Sequence, residues 1–94
     1  MTIVPATVTH PWLAHFRPQD QPMIRAWFSY CISQGARRPE AVVEMVTRVV
    51  ASKLAWSVSP TSVTLCEATL ASLVHHRALA LDYAQTLLAR DQGL

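Results

Sequence analysis

The spacing of apolar residues along the chain predicts helices. The clearest case covers residues 39 to about 55, where apolar side chains recur with the period of about 3.6 residues of an α-helix. Its inner stripe has six members: Val42, Met45, Val46, Val49, Val50 and Leu54. Glu44 and Arg48 lie on the outer face in the favourable i, i+4 order. Valine is common in strands, but the length and the period of this segment indicate a helix.

An earlier helix is predicted from Asp20 to about Gln34. Asp20 suits the N-cap, Pro22 suits the first turn, and Gly35 is a typical C-terminal stop. The apolar face of this helix is broad, so we expect it to be central or to contact a partner. Its polar strip is narrow and consists of Arg25, Ser29 and Ser33.

The segment after Trp56 reads either as one helix of nearly thirty residues or as two helices with a break near His75 and His76. Its start is open as well. Ser59 followed by Pro60 is one N-terminal signature, and Thr64 with Glu67 is a capping box one turn later. Residues 1 to 9 read as an extended arm, and residues 10 to 16 as a short helix. The predicted fold is all-α: one domain, residues 1 to 94, forming a compact bundle of three to four helices with a long C-terminal helix.

Composition adds a surplus of apolar residues. The chain has 94 residues, of which 51% are hydrophobic and 15% charged. That is more apolar material than one small core needs, which favours a partner protein or a homodimer. No stretch predicts a membrane span or a targeting segment, so we expect a cytoplasmic protein. Cys31 and Cys66 fall on apolar faces and are expected to be reduced core thiols.

Residues 58 to 64, VSPTSVT, resemble the turn and early recognition helix of bacterial repressor-type helix-turn-helix domains. In those families a Val-Ser pair opens the second helix, and a buried valine, here Val63, follows. The turn glycine of the family falls at Ser57, and its small residue falls at Lys53. The resemblance implies DNA binding through seven residues: Arg37, Arg38, Arg48, Lys53, Ser59, Thr61 and Thr64. Residues 59 to 74 contain no Lys, Arg, Asn or Gln, the usual readers of bases.

Candidate chemistry is sparse. His75 and His76 are adjacent on a helix and point about 100° apart, so they cannot chelate one ion together. The chain has no CxxC or HxxxH spacing, no nucleophile elbow and no glycine-rich loop. We therefore expect no enzyme activity, no metal and no cofactor. The net charge of +2 is too small for the chain to bind DNA by charge alone.

The aromatic residues predict a protein interface. Three tryptophans are expected near helix ends as core residues, with Trp12 the best interface candidate because a short terminal helix is only half buried. Trp27 is expected in the core. The predicted partner-binding residues are Trp12, Phe16, Arg25, Phe28, Tyr30, Arg37 and Arg38. We expect a small regulatory or inhibitory protein that acts by protein-protein interaction. Chains of this kind are often encoded by phages or mobile elements. The alternative is a helix-turn-helix transcriptional regulator.

Overall fold

The computed structural model describes residues 10 to 93, with side chains through Arg90. The predicted N-terminal arm, residues 1 to 9, lies outside the described residues. Four α-helices follow one another: α1 (Gln21–Ser33), α2 (Pro39–Trp56), α3 (Pro60–His75) and α4 (Arg77–Gly93). Two 3-10 turns, Leu13–His15 and Pro18–Asp20, precede them, so the short N-terminal helix is shorter than predicted. The all-α bundle is confirmed, and residues 10 to 93 contain no strand.

Helix boundaries follow the expected backbone chemistry, with one exception. Gly35 ends the turn after α1 with a φ of 109°, a conformation that costs glycine little. The start of α3 is at Pro60, and the Ser59 hydroxyl accepts a hydrogen bond from the Ser62 backbone N–H, so the later capping box does not begin the helix. The exception is Asp20, whose carboxylate does not cap α1 but accepts a hydrogen bond of 3.0 Å from Arg17 Nε.

The C-terminal segment is two helices, separated at His76. The backbone of His76 has φ −123° and ψ 45°, outside the helical region. Hydrogen bonds still reach across this residue, because His76 N–H donates to the Ser72 carbonyl at 2.8 Å and Ala80 N–H donates to the His76 carbonyl at 3.0 Å. The change of direction therefore costs few backbone hydrogen bonds, and it lets α4 pack against α1, α2 and α3.

The core is built around Trp12, which is fully buried. Its ring lies 5.3 Å from Phe28 and 5.6 Å from Tyr83, and its indole N–H donates a hydrogen bond of 2.8 Å to Ser72 Oγ. The prediction that Trp12 and Phe28 face a partner is therefore wrong. The 3-10 turn at Leu13–His15 inserts this indole among α1, α3 and α4 instead of leaving it half exposed.

The α2 stripe is confirmed as a core surface: Val42, Val46 and Val50 are fully buried, and Met45, Val49 and Leu54 pack against them. Val43 is buried too. Both cysteines are free thiols in the core, as predicted. Within the described part of the chain, every helix falls short of the length and apolar character needed to span a bilayer.

The three tryptophans divide between core and surface. Trp12 and Trp27 are buried, whereas Trp56 is 85% exposed. The expectation that Trp56 is a core residue is wrong, because the buried stripe of α2 runs through Val46, Val50 and the half-buried Leu54, and Trp56 lies off that stripe at the helix end.

We predict that Trp12→Ala lowers the free energy of unfolding by about 3 to 5 kcal/mol, because it opens a cavity and leaves Ser72 without its donor. Trp56→Ala is the matched control and is expected to change it by less than about 0.5 kcal/mol. Urea unfolding followed by circular dichroism measures both. Equal losses from the two variants would contradict this description of the core.

Candidate functional site

The two most exposed large apolar side chains of the described residues lie where α2 turns into α3. Trp56 is 85% exposed and Val58 is 96% exposed, on either side of the half-buried Ser57. We call this region, residues 53 to 61, the α2–α3 tip. An isolated exposed apolar side chain is common, but a tryptophan and a valine this exposed on one short turn form an apolar projection.

Three serines fix the backbone of the tip. Ser57 Oγ donates to the Lys53 carbonyl at 2.7 Å and lies 3.0 Å from Ser62 Oγ. Ser59 caps α3 through its side chain and accepts a backbone bond of 3.0 Å from Val63 at its carbonyl. These bonds do not involve the side chains of Trp56 or Val58, so the tip holds its shape while both side chains remain free for contact.

The charge around the tip is positive. The only charged residues between positions 45 and 66 are Arg48 and Lys53. Arg48 approaches Glu44 at 3.7 Å, but both side chains are largely exposed, so this ion pair is weak. Lys53 forms no ion pair with any described carboxylate. It is therefore an unpaired cation beside Trp56.

The structure separates the predicted partner-binding residues. Trp12 and Phe28 are in the core, and Phe16 is half buried against them. Of the remaining four, Arg25 is half buried, and Tyr30, Arg37 and Arg38 are exposed. Arg37 also donates a long hydrogen bond of 3.4 Å to the Ile32 carbonyl, so it helps to close the end of α1.

The predicted DNA-binding residues are not brought together either. Arg37 and Arg38 precede α2, while Ser59, Thr61 and Thr64 follow its other end, and the 18 residues of α2 span about 27 Å. Arg48 and Lys53 lie nearer to the three hydroxyl residues. Val63, the expected buried valine, is only half buried. Of the five predicted DNA contacts near the start of α3, three are therefore hydroxyls and one is Lys53, and the fifth, Arg48, lies 3.7 Å from Glu44.

Three of the four histidines, His10, His15 and His76, make contacts within the fold. His10 Nε2 lies 2.7 Å from Asp82, while its Nδ1 accepts a hydrogen bond from Trp12 N–H, so both ring nitrogens are occupied and neither is placed to act as a base. His15 and His76 meet edge to face at 4.3 Å, beside a groove of about 400 Å³. Among residues 10 to 90 no three ligating side chains converge as a metal site requires.

A smaller cleft of about 270 Å³ lies between α1 and α4. Its lining residues are Ser29, Ile32, Ser33, Leu87 and Arg90. Ser29 and Ser33 belong to the polar strip predicted for α1, so the sequence located one wall of this cleft without indicating what faces it. The residues that sequence reasoning missed are Trp56, Val58 and Tyr83. The position of Trp56 off the valine stripe was the available signal for its exposure.

Tyr83 is buried in the aromatic cluster, against Trp12 and Phe28, and carries an unusual hydroxyl. Its oxygen is inaccessible, and no hydrogen bond of regular geometry reaches it from the described residues, although the Arg25 guanidinium acts on it as a nearby donor. Burial raises the pKa of Tyr83 above its ordinary value of 10.0, and the guanidinium groups of Arg25 and Arg90 partly offset that rise. Burial also raises the pKa of the Cys31 thiol above 9.0.

We predict that Tyr83→Phe leaves the free energy of unfolding at neutral pH unchanged or raises it by up to about 1 kcal/mol, because it removes an unsatisfied buried hydroxyl. Above pH 10.0 the unfolded chain releases the Tyr83 proton before the folded chain does. The wild type therefore loses stability there, and Tyr83→Phe lacks that part of the loss.

Urea unfolding at neutral pH and on both sides of pH 10.0 measures this effect. Tyr30→Phe is the control, since Tyr30 is 53% exposed and its hydroxyl is solvated. The part of the alkaline loss that begins above pH 9.0 belongs to Cys31 and is expected in both variants. A large destabilisation of Tyr83→Phe at neutral pH would show that its hydroxyl is satisfied.

Comparison with protein-family models, with curated proteins and with solved structures finds no match to this chain. The arguments about function that follow therefore use the exposure, charge and hydrogen bonding of the described residues. Two regions combine accessible apolar surface with positive charge: the α2–α3 tip and the cleft between α1 and α4.

Proposed function

We propose that this chain is a small non-enzymatic regulatory protein, acting in the cytoplasm, that docks on another protein through the α2–α3 tip. The observation that carries the proposal is the exposure of Trp56, at 85%, beside Val58, at 96%. Tryptophan is the residue most enriched in binding hot spots, where it fills a pocket on the partner. Regulation or inhibition follows if that pocket is one that the partner needs for its own activity.

The energetics favour docking over an inert surface. A tryptophan buries about 150 to 250 Å², and Trp56 is 85% exposed, so covering that exposed part at about 25 cal/mol per Å² contributes on the order of 3 to 5 kcal/mol before the costs of association. Val58 adds about 1.5 to 3 kcal/mol on the same scale. The serine hydrogen bonds at Ser57 and Ser59 fix the backbone beforehand, which lowers the entropy lost on binding.

The charge around the tip specifies the partner further. Positions 45 to 66 carry Arg48 and Lys53 and no acid. A partner surface that fits has an apolar pocket wide enough for an indole and carboxylates at its rim near Lys53. Rim charges of this kind act mainly on the rate of association and on the choice of partner.

Photo-cross-linking tests this proposal in the cell that encodes the chain. A benzoylphenylalanine in place of Val58 is expected to give one discrete adduct. The same group at Gln85, an exposed position on α4, is the control for random encounter. Trp56→Ala should lower the adduct yield from position 58 at least tenfold, because loss of a hot-spot side chain costs about 2 kcal/mol or more.

Charge reversal provides the second arm. Lys53→Glu should lower the adduct yield more than Lys53→Gln, since it repels an acidic rim. Equal adducts from positions 58 and 85, or a yield that Trp56→Ala leaves unchanged, would refute docking at the tip. An adduct with twice the mass of the chain would assign the tip to a second copy and overturn the separate partner.

DNA binding is the second candidate, and one observation favours it. The α2 and α3 helices are joined by three residues, and Ser59, Thr61 and Thr64 are exposed on the first turns of α3. Hydroxyls of this kind contact phosphates and base edges, with Arg48 and Lys53 as the nearest cations. One observation argues against DNA binding. Trp56 and Val58 project from the turn between α2 and α3, where a helix-turn-helix must lie close to the duplex.

Fluorescence anisotropy with a labelled random duplex at low salt tests this candidate. A DNA-binding chain should lose affinity as salt rises, and Lys53→Gln with Arg48→Gln should reduce the salt slope by about 2. Trp56→Ala should then improve or preserve binding. No change in anisotropy at low salt would eliminate DNA as the partner.

A further inference from the structure

We propose that the cleft between α1 and α4 binds a small organic anion, with its carboxylate or phosphate group at Arg90 and Ser29 and its apolar part on Ile32 and Leu87. This site is separate from the α2–α3 tip and does not depend on the function proposed for it. The cleft measures about 270 Å³, close to the lower limit of small-molecule sites, which suits a ligand of one ring and one anionic group.

The two walls of the cleft come from matched helical faces. On α1, Arg25, Ser29 and Ser33 follow one another at intervals of four residues and so share one face. On α4, Tyr83, Leu87 and Arg90 are spaced by four and three residues and share one face as well. The polar strip of α1 therefore meets a face of α4 that presents Leu87 and Arg90 to the cleft.

The electrostatics of this cleft favour an anion. None of its five lining residues is acidic. Neither Arg25 nor Arg90 forms an ion pair with a carboxylate whose side chain is described: Asp82 pairs with His10, Asp20 with Arg17 and Glu44 with Arg48. Arg90 thus places one guanidinium charge at the cleft without a described counter-charge, and Arg25 lies one turn before Ser29 on α1.

Arg90 is not needed to neutralise the end of α1. The last carbonyls of that helix already accept hydrogen bonds: Tyr30 from Gln34 N–H at 3.0 Å, Cys31 from Ala36 N–H at 3.3 Å, and Ile32 from Gly35 N–H at 3.0 Å.

Hydrogen-bond donors in the cleft are available for an anion. Ser33 Oγ already donates to the Tyr30 carbonyl at 2.6 Å, but Ser29 Oγ makes no hydrogen bond to a described residue and can donate to a ligand.

Isothermal titration of the full chain at low salt and neutral pH tests this site with three probes: phenyl phosphate, benzoate and inorganic phosphate. We expect phenyl phosphate or benzoate to bind at least tenfold more tightly than inorganic phosphate, because only the former two contact Ile32 and Leu87. Tighter binding of phenyl phosphate would identify the head group as a phosphate, and tighter binding of benzoate as a carboxylate.

Variants locate the binding. Arg90→Gln should weaken the better probe at least about tenfold, since it removes a charge-assisted hydrogen bond. Arg48→Gln, an exposed arginine on α2, is the matched control and should change the affinity less than twofold. Ser29→Ala should weaken binding by about threefold to tenfold, because it removes the hydroxyl that donates to the anion.

Methyl chemical shifts of Ile32 and Leu87 provide an independent location and should move on titration while those of Val42 and Val46 stay fixed. The proposal is overturned if none of the probes binds at millimolar concentration. It is also overturned if Arg48→Gln weakens binding as much as Arg90→Gln, which would indicate attraction by net charge alone. Failure of the cross-linking at position 58 would leave this result unaffected, because the two sites share no residue.

Discussion

The hydrogen bond from the Trp12 indole to Ser72 Oγ, buried within the largest aromatic cluster of the described chain, is the contact on which the bundle depends. It joins the first described turn to the third helix across 60 positions of sequence. The same indole contacts Phe28 on α1 and Tyr83 on α4, so one side chain makes contact with three helices. A polar atom in such a core is tolerable only when it is paired, and Ser72 provides that pairing.

This central packing divides the surface into independent regions. The valine stripe of α2 and the aromatic cluster bury most of the large apolar side chains, and the α2–α3 tip remains outside them. None of the five residues that line the cleft between α1 and α4 belongs to the aromatic cluster. A contact made at one region can therefore occur without repacking the other.

The helices could be predicted from the sequence because their signals are local. The period of Val42, Val46 and Val50 indicated α2, and Gly35 marked the end of α1 by its backbone freedom. The burial of Trp12 could not be predicted, because it depends on a tertiary bond to Ser72 that has no local signature. The exposure of Trp56 could be inferred only by comparing its position on the helix with that of the buried α2 stripe. The cleft required two helical faces to be matched, and the sequence indicated just the strip on α1.

The way Ser57, Ser59 and Ser62 hold the tip bears on how this chain can evolve. Their hydrogen bonds fix the course of the backbone without using the side chains at positions 56 and 58, which contribute little to the core. Substitution at these two positions can therefore change the apolar surface of the tip while the stability of the fold stays almost constant. Positions 56 and 58 are free to diversify, whereas Trp12 and Ser72 are constrained to change together or not at all.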